Sequence, residues 1–76
     1  MGTVHHTDSW KIVIYAEDHN PPHFHVKFSN GQETMIEIES FEVIAGFESP
    51  KLLRPVIAWA RINRKKVESV WKELNP

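Results

Sequence analysis

The sequence predicts an α+β fold: a small antiparallel sheet of three or four strands packed against one C-terminal helix that is bent or broken into two. Apolar and polar side chains alternate strictly over residues 23–28, which is the period of a half-buried strand, and over residues 32–39 Thr34, Ile36 and Ile38 lie on the face opposite Glu33, Met35, Glu37 and Glu39. From residue 56 onwards the apolar positions recur at helical spacing instead. Because the strands come first and the helix follows, we expect them to form two separate layers.

The length and composition limit the classes of protein to which the chain can belong. Its 76 residues are enough for one domain with a thin core. We expect residues 1–9 to be a flexible N-terminal arm and residues 10–76 to be a single α+β domain. Nine basic and ten acidic side chains give no bulk signal for nucleic acid or membranes. Since cysteine is absent, disulfides and thiolate sites are excluded. Since no long apolar segment occurs, we expect a cytoplasmic protein without a membrane span.

The register of the central hairpin can be argued from its turn. A two-residue loop would pair Phe24 with Glu37 and place carboxylates on the core face. A three-residue loop over residues 29–31 pairs Phe24 with Ile36 and puts Gly31 at the left-handed position. Because a one-residue slip turns every side chain to the other face, the second register is predicted. On the outer face it sets His23 opposite Glu37, His25 opposite Met35 and Lys27 opposite Glu33.

Signals for the remaining elements are mixed. The β-branched and aromatic run 10–16 predicts a first strand, and residues 41–45 predict either a short last strand or an irregular return. Ser49 before a proline is an N-cap signature. Pro55 implies that the main helix begins there or bends there, since an interior proline costs about 3 kcal/mol. The helical pattern lapses at Asn63, where we expect a break.

Three of the five histidines lie in the heptapeptide His19-Asn20-Pro21-Pro22-His23-Phe24-His25. Three imidazoles and a water form a catalytic zinc arrangement, so His19, His23 and His25 are predicted metal ligands. Imidazole with the carboxylates of Glu17 and Asp18 just upstream also suits iron, nickel or copper. Histidines at this spacing are more often exposed strand and turn residues that bind nothing.

Two interpretations that need no metal remain open. A histidine across the sheet from Glu37 could act as a general acid or base, with Lys27 or Arg54 holding a phosphate, as in a ribonuclease. The basic side chains at residues 61–66 could contact RNA, although such a cluster is usually a solvated helix face. The candidate binding surface comprises His19, Asn20, Pro21, Pro22, His23, His25, Lys27 and Glu37.

The run from Tyr15 to Val26 resembles the signature of a bacterial family of short proteins, domain of unknown function 4160. The resemblance continues through residues 36–38 and 43–46 to Trp59 and Trp71, so it covers nearly the whole chain. The resemblance implies a histidine, as in many members of that family, at the position where this chain has Asn63. The family has no established activity, and the resemblance implies a small component of a toxin–antitoxin-like pair with a protein partner and RNA as a possible target.

These observations lead to two functional hypotheses. The first is a cytoplasmic interaction module that uses the histidine- and glutamate-rich strand face to bind a small protein partner or a second copy of itself. The second is a histidine-based ribonuclease or other hydrolase that acts through His19, His23 and His25, with or without a divalent metal.

Overall fold

A computed structural model describes residues 2–76 as a five-stranded antiparallel sheet followed by two helices. The spatial order of the strands equals their chain order. The α+β class is confirmed, with more strands than predicted and with the helical segment divided in two. No helix within residues 2–76 has both the length and the apolar character needed to cross a bilayer. The elements are β1 (Gly2–His6), β2 (Trp10–Ile14), β3 (His23–Phe28), β4 (Glu33–Glu37), β5 (Val43–Gly46), α1 (Pro50–Ile62) and α2 (Arg64–Leu74).

The structure differs from the predicted flexible arm at residues 1–9, because most of this segment is strand β1. It pairs antiparallel with β2, with an irregularity between Thr3 and His5. Val4 is buried, and the His5 ring stacks on that of Trp59 with 4.4 Å between centroids. Five residues with a single large apolar side chain, Val4, carry too little periodicity to reveal an edge strand whose stability comes from its neighbour. The prediction for residue 1 lies outside the described residues.

The register predicted for the β3–β4 hairpin is confirmed. Phe24 pairs with Ile36, and Val26 pairs with Thr34. Gly31 has a φ of +90°, and its N–H donates to the Phe28 carbonyl at 3.0 Å. Apolar burial and the turn therefore select the same register.

The helical segment divides at the predicted position. Ser49 caps α1 by accepting a hydrogen bond from the Leu52 N–H at 3.3 Å. The helix continues through Pro55, so neither a start at that residue nor a separate turn before it is observed. Pro55 is exposed, so the carbonyl that it leaves without a partner can bind water. At the break, the backbone and side-chain N–H groups of Asn63 both donate to the Trp59 carbonyl, at 3.0 and 2.9 Å.

Both helices pack on one face of the sheet. The core includes Ile12, Phe24, Val26 and Ile36 from the strands and Leu53, Val56, Ala60, Val67 and Trp71 from the helices. The opposite face, called the outer face below, presents Lys11, His25, Lys27, Glu33 and Met35. Among residues 2–76 no helix lies over this face. The connection between β2 and β3 lies at one end of it and carries the candidate site.

Candidate metal centre

The loop between β2 and β3 positions the first part of the site. Its Asn20–Pro21 peptide bond is cis. The Pro22 carbonyl accepts a hydrogen bond from the Ile38 N–H at 3.0 Å, which ties this corner to the end of β4. At the other end of this loop, Asp18 lies beside the first residues of β3.

His23 is buried, with 1% of its surface exposed. The prediction that it lies on an exposed strand face is therefore wrong. Its ring packs against Trp71 of α2, with 5.3 Å between centroids. Its Nδ1 atom lies 2.7 Å from the Pro21 carbonyl oxygen. Because His23 is the first residue of its strand, the preceding loop and α2 enclose a side chain that would be exposed in mid-strand.

His25 lies on the outer face, and 12% of its side chain is exposed. Its Nδ1 atom is 2.9 Å from Oε2 of Glu33 on the neighbouring strand. The edge of its ring meets the Tyr15 ring with 4.7 Å between centroids. These contacts hold the ring with its Nε2 atom towards the loop.

Three ligand-type atoms converge between the loop and β3. Oδ2 of Asp18 is 2.9 Å from Nε2 of His23 and 3.6 Å from Nε2 of His25. One ligand atom from each residue lies within 4.8 Å of the others. Both Nε2 atoms are buried and make no hydrogen bond. Two buried imidazole nitrogens therefore point at one carboxylate oxygen.

Hydrogen-bond chemistry determines which ring nitrogens carry hydrogen. Carbonyl and carboxylate oxygens only accept, so in the neutral rings Nδ1 of His23 and Nδ1 of His25 are the protonated atoms. Each Nε2 atom then directs a lone pair towards Asp18, which is also an acceptor. A positive charge among the three atoms, supplied by a proton or a metal ion, stabilises this arrangement.

Two of the three spacings suit a metal ion. Bonds of about 2.0–2.2 Å to nitrogen and oxygen place neighbouring ligand atoms about 2.8–3.6 Å apart at octahedral or tetrahedral angles. The separations of 2.9 Å between Asp18 and His23 and of 3.6 Å between Asp18 and His25 both lie within this range. Metal-bound histidines also commonly donate their other N–H to a carbonyl or carboxylate, as both histidines do here.

The Asp18 carboxylate remains ionised under mildly acidic conditions. Burial by itself raises the pKa of Asp18, but the hydrogen bond from the His19 backbone N–H and the neighbouring imidazoles of His23 and His25 outweigh that effect. The resulting pKa lies below the ordinary value. Asp18 is therefore available as an anionic ligand.

The structure brings together a different ligand set from the predicted one, with Asp18 in place of His19. The His19 side chain is 79% exposed, and its Nδ1 atom lies 3.1 Å from Oδ1 of Asp18, on the side of the carboxylate away from Oδ2. Asp18 was recognised in the sequence only as a carboxylate upstream of the histidines. The position of Asp18 next to the heptapeptide is the one sequence signal that could have indicated a ligand. The loop geometry that turns Asp18 and not His19 towards the two imidazoles has no local signal in the sequence.

The other predicted surface residues are more dispersed. Glu37 is opposite His23 in register, but its carboxylate accepts a hydrogen bond from the Ser40 hydroxyl. The Lys27 ammonium lies 5.6 Å from the centre of the Tyr15 ring, and its proximity to Tyr15 raises the pKa of Lys27. Residues 20–22 are exposed at the corner of the loop.

Within the basic cluster, Arg64 has a structural role. Its guanidinium donates to the Ile38 carbonyl at 2.8 Å and lies 4.1 Å from the centre of the Phe41 ring. It is therefore engaged with the end of the sheet.

A cleft of about 700 Å³ borders on Asp18. Its lining includes three carboxylates and two amides, namely Glu17, Asp18, Glu73, Asn20 and Asn75, and contains no lysine or arginine. A ligand approaching Asp18 through this cleft meets a negatively charged surface.

The fold and the site together define a small α+β protein with a cluster of two histidines and one aspartate at the end of an antiparallel meander. The chain belongs to the family described as domain of unknown function (DUF4160), whose model matches residues 9–72. The family resemblance seen in the sequence is confirmed, and the match includes all three convergent residues. No curated protein and no solved structure matches the chain.

Proposed function

We propose that this protein binds a divalent first-row transition metal through Asp18, His23 and His25. The observation that carries the proposal is the pair of buried Nε2 atoms, both without a hydrogen bond and both directed at one carboxylate oxygen. Two imidazoles and one carboxylate suit zinc or iron(II), and with iron(II) they form the facial arrangement of non-haem iron enzymes.

The metal would keep open coordination positions. A closed structural zinc site has four protein ligands, whereas three leave room for water. Water bound to zinc loses a proton near neutral pH and becomes a nucleophile. This supports a hydrolytic activity, in which the exposed His19 ring beside Asp18 would act as the general acid or base and not as a ligand.

The negative charge of the cleft favours an uncharged or cationic substrate over RNA. A polyanion entering beside Asp18 would approach Glu17 and Glu73 with no lysine or arginine in the lining. We therefore favour a hydrolase of neutral bonds, such as an ester or amide, over the ribonuclease considered from the sequence.

Metal titration of untagged protein tests the binding proposal. Isothermal titration with zinc should show one strong site per chain, lost in D18N and in H23Q. The matched control is H19A, which removes an imidazole that is adjacent but outside the convergent set and should bind as the wild type does. Equal affinity for wild type and H23Q, with both folded by circular dichroism, would contradict the proposal, because the zinc would then occupy another site.

The hydrolytic step needs a separate measurement. The zinc-loaded protein should cleave p-nitrophenyl acetate, which is uncharged, faster than bis(p-nitrophenyl) phosphate, which is anionic. In H19A the zinc affinity should be unchanged and the cleavage rate should fall about 10²–10⁴-fold, as for loss of a general acid or base. Absence of cleavage by a zinc-saturated protein would leave a metal-binding protein and refute the hydrolase.

A second candidate is a cytoplasmic interaction module, and the observation that favours it is the outer face. No helix of residues 2–76 covers this face, and Met35 is half-buried there between charged side chains. The occupant would be a small protein partner, as in a toxin–antitoxin-like pair, or a second copy of this chain. The burial of His23 removes one of the residues on which this hypothesis depended.

Light scattering over a range of concentrations tests the second candidate. A homodimer through the outer face should become a monomer in M35E, while I62E should not change the mass, since Ile62 is 85% exposed and lies at the end of α1. A monomeric mass at all concentrations would exclude the homodimer.

For the toxin–antitoxin-like role, expression in bacteria should arrest growth, and normal growth would count against it.

A further inference from the structure

The C-terminal end of α2 is hydrogen-bonded to the loop that carries Asp18. The Asp18 N–H donates to Oδ1 of Asn75 at 2.7 Å, and the Glu17 N–H donates to the Leu74 carbonyl at 3.4 Å. Nδ2 of Asn75 donates to the Tyr15 carbonyl at 3.0 Å and to the Trp71 carbonyl at 3.3 Å. One half-buried side chain thus bridges two segments that are 57 residues apart in the chain.

The bridge depends on the chemistry of an amide. Only a side chain that both donates and accepts can satisfy the Asp18 N–H and the Tyr15 carbonyl together. The loop needs this support, because Glu17 has a φ of +56°, in the left-handed region that non-glycine residues rarely adopt. Without Asn75, the backbone on either side of Glu17 would lose two of its contacts with α2.

The same bridge determines where the Asp18 carboxylate lies. Oδ1 of Asp18 accepts from the His19 N–H at 2.9 Å, so with the backbone of Asp18 held by Asn75, Oδ2 is left facing the two imidazoles. Trp71, one turn before Asn75, packs against the His23 ring. Two of the three convergent residues, Asp18 and His23, therefore rest on the last turn of α2 and on its C-cap.

We infer that Asn75 is a positioning residue for the metal centre and that it couples metal binding to the docking of the C-terminal end of α2. The inference rests on the proposed metal binding. By reciprocity, a metal that binds Asp18, His23 and His25 strengthens the contact between the loop and α2, and loss of that contact weakens metal binding.

The test compares N75A with N63A by titration with cobalt(II), whose visible absorption reports the ligands bound to the metal. Both variants remove an asparagine at one end of α2, but Asn63 contacts Trp59 at the end remote from the cleft. N75A should bind cobalt about 10–100-fold more weakly, as for loss of an outer hydrogen bond at a metal site. Its spectrum should resemble that of D18A, while N63A should match the wild type.

A second measurement uses only the wild-type protein, so it does not depend on the folding of a variant. Zinc should slow hydrogen exchange at the Asp18 and Asn75 N–H groups more than at the Leu53 N–H in α1. An equal factor at all three amides would indicate global stabilisation alone and would overturn the coupling.

The outcomes separate this inference from the proposed function. If the wild type binds neither zinc nor cobalt, the proposed function fails, and this inference fails with it. If the wild type binds and N75A binds equally well with the same spectrum, only the role of Asn75 is refuted.

Discussion

Nδ1 of His25 lies 2.9 Å from Oε2 of Glu33, on the adjacent strand and two residue pairs away along the hairpin. This contact is diagonal across the ladder, since Glu33 pairs with Lys27 and His25 pairs with Met35. The pair fixes the tautomer of His25 that leaves Nε2 free for the convergent site. A surface hydrogen bond on the open face therefore prepares a ligand atom that is itself buried.

Removal of the Glu33 carboxylate should weaken metal binding without removing a ligand. We expect E33A to lower zinc affinity about 10–100-fold, because an outer hydrogen bond orients a histidine ligand and increases its basicity. The matched control is E37A on the same strand and face, whose carboxylate contacts Ser40 instead. If calorimetry gives the same affinity for both variants, the proposed role of Glu33 is wrong.

Acidification should release the metal. Both histidines must be neutral to act as ligands, so protons compete with zinc as the pH falls. Because the pKa of Asp18 lies below its ordinary value, the carboxylate stays charged in mild acid, and the loss should come from the imidazoles. Zinc affinity measured at pH 7.5 and at pH 5.5 should be clearly lower at the acidic pH. An affinity that does not change between them would mean that histidine is not a ligand.

The assignment of Ile36 to the core and of Ile44 to the surface can be checked by making the same isoleucine-to-valine substitution at each position. I36V deletes a methylene from a fully buried residue and should cost about 0.5–1.5 kcal/mol of unfolding free energy. I44V makes the same change on β5, where Ile44 is 42% exposed, and should stay within about 0.5 kcal/mol. Urea unfolding measures both. A larger loss for I44V than for I36V would contradict the described core.

Two glycines with nearly equal backbone angles should respond differently to alanine. Gly31 (φ +90°) has no heavy atom within 4 Å of an added Cβ, so G31A should cost about 1–2 kcal/mol from the left-handed backbone alone. At Gly46 (φ +89°) the added Cβ would lie 2.5 Å from the Glu33 carbonyl oxygen. G46A should therefore cost on the order of 3 kcal/mol or more. Thermal denaturation of both variants is the measurement, and equal losses would argue against the close approach of β5 to β4.

The local pattern of apolar and turn residues was sufficient to predict the register of the central hairpin and the position of the helical break. Phe24 and Ile36 must share a face with the core, and Gly31 suits the one loop length that allows it, so burial and turn geometry agree. The same local reasoning failed for β1, because a short polar edge strand is stabilised by the strand beside it and has little pattern of its own.

The sequence by itself determined the family, the α+β class and the heptapeptide in which two of the three convergent residues lie, because strand and helix periods and a proline–histidine motif are local properties of the chain. Only the tertiary structure decided that Asp18 and not His19 faces the two imidazoles, that Trp71 buries His23, and that Asn75 holds the loop. Each of these depends on the C-terminal end of α2 meeting residues that lie 48 to 57 positions earlier in the chain, and contacts at that separation leave no periodicity in the sequence.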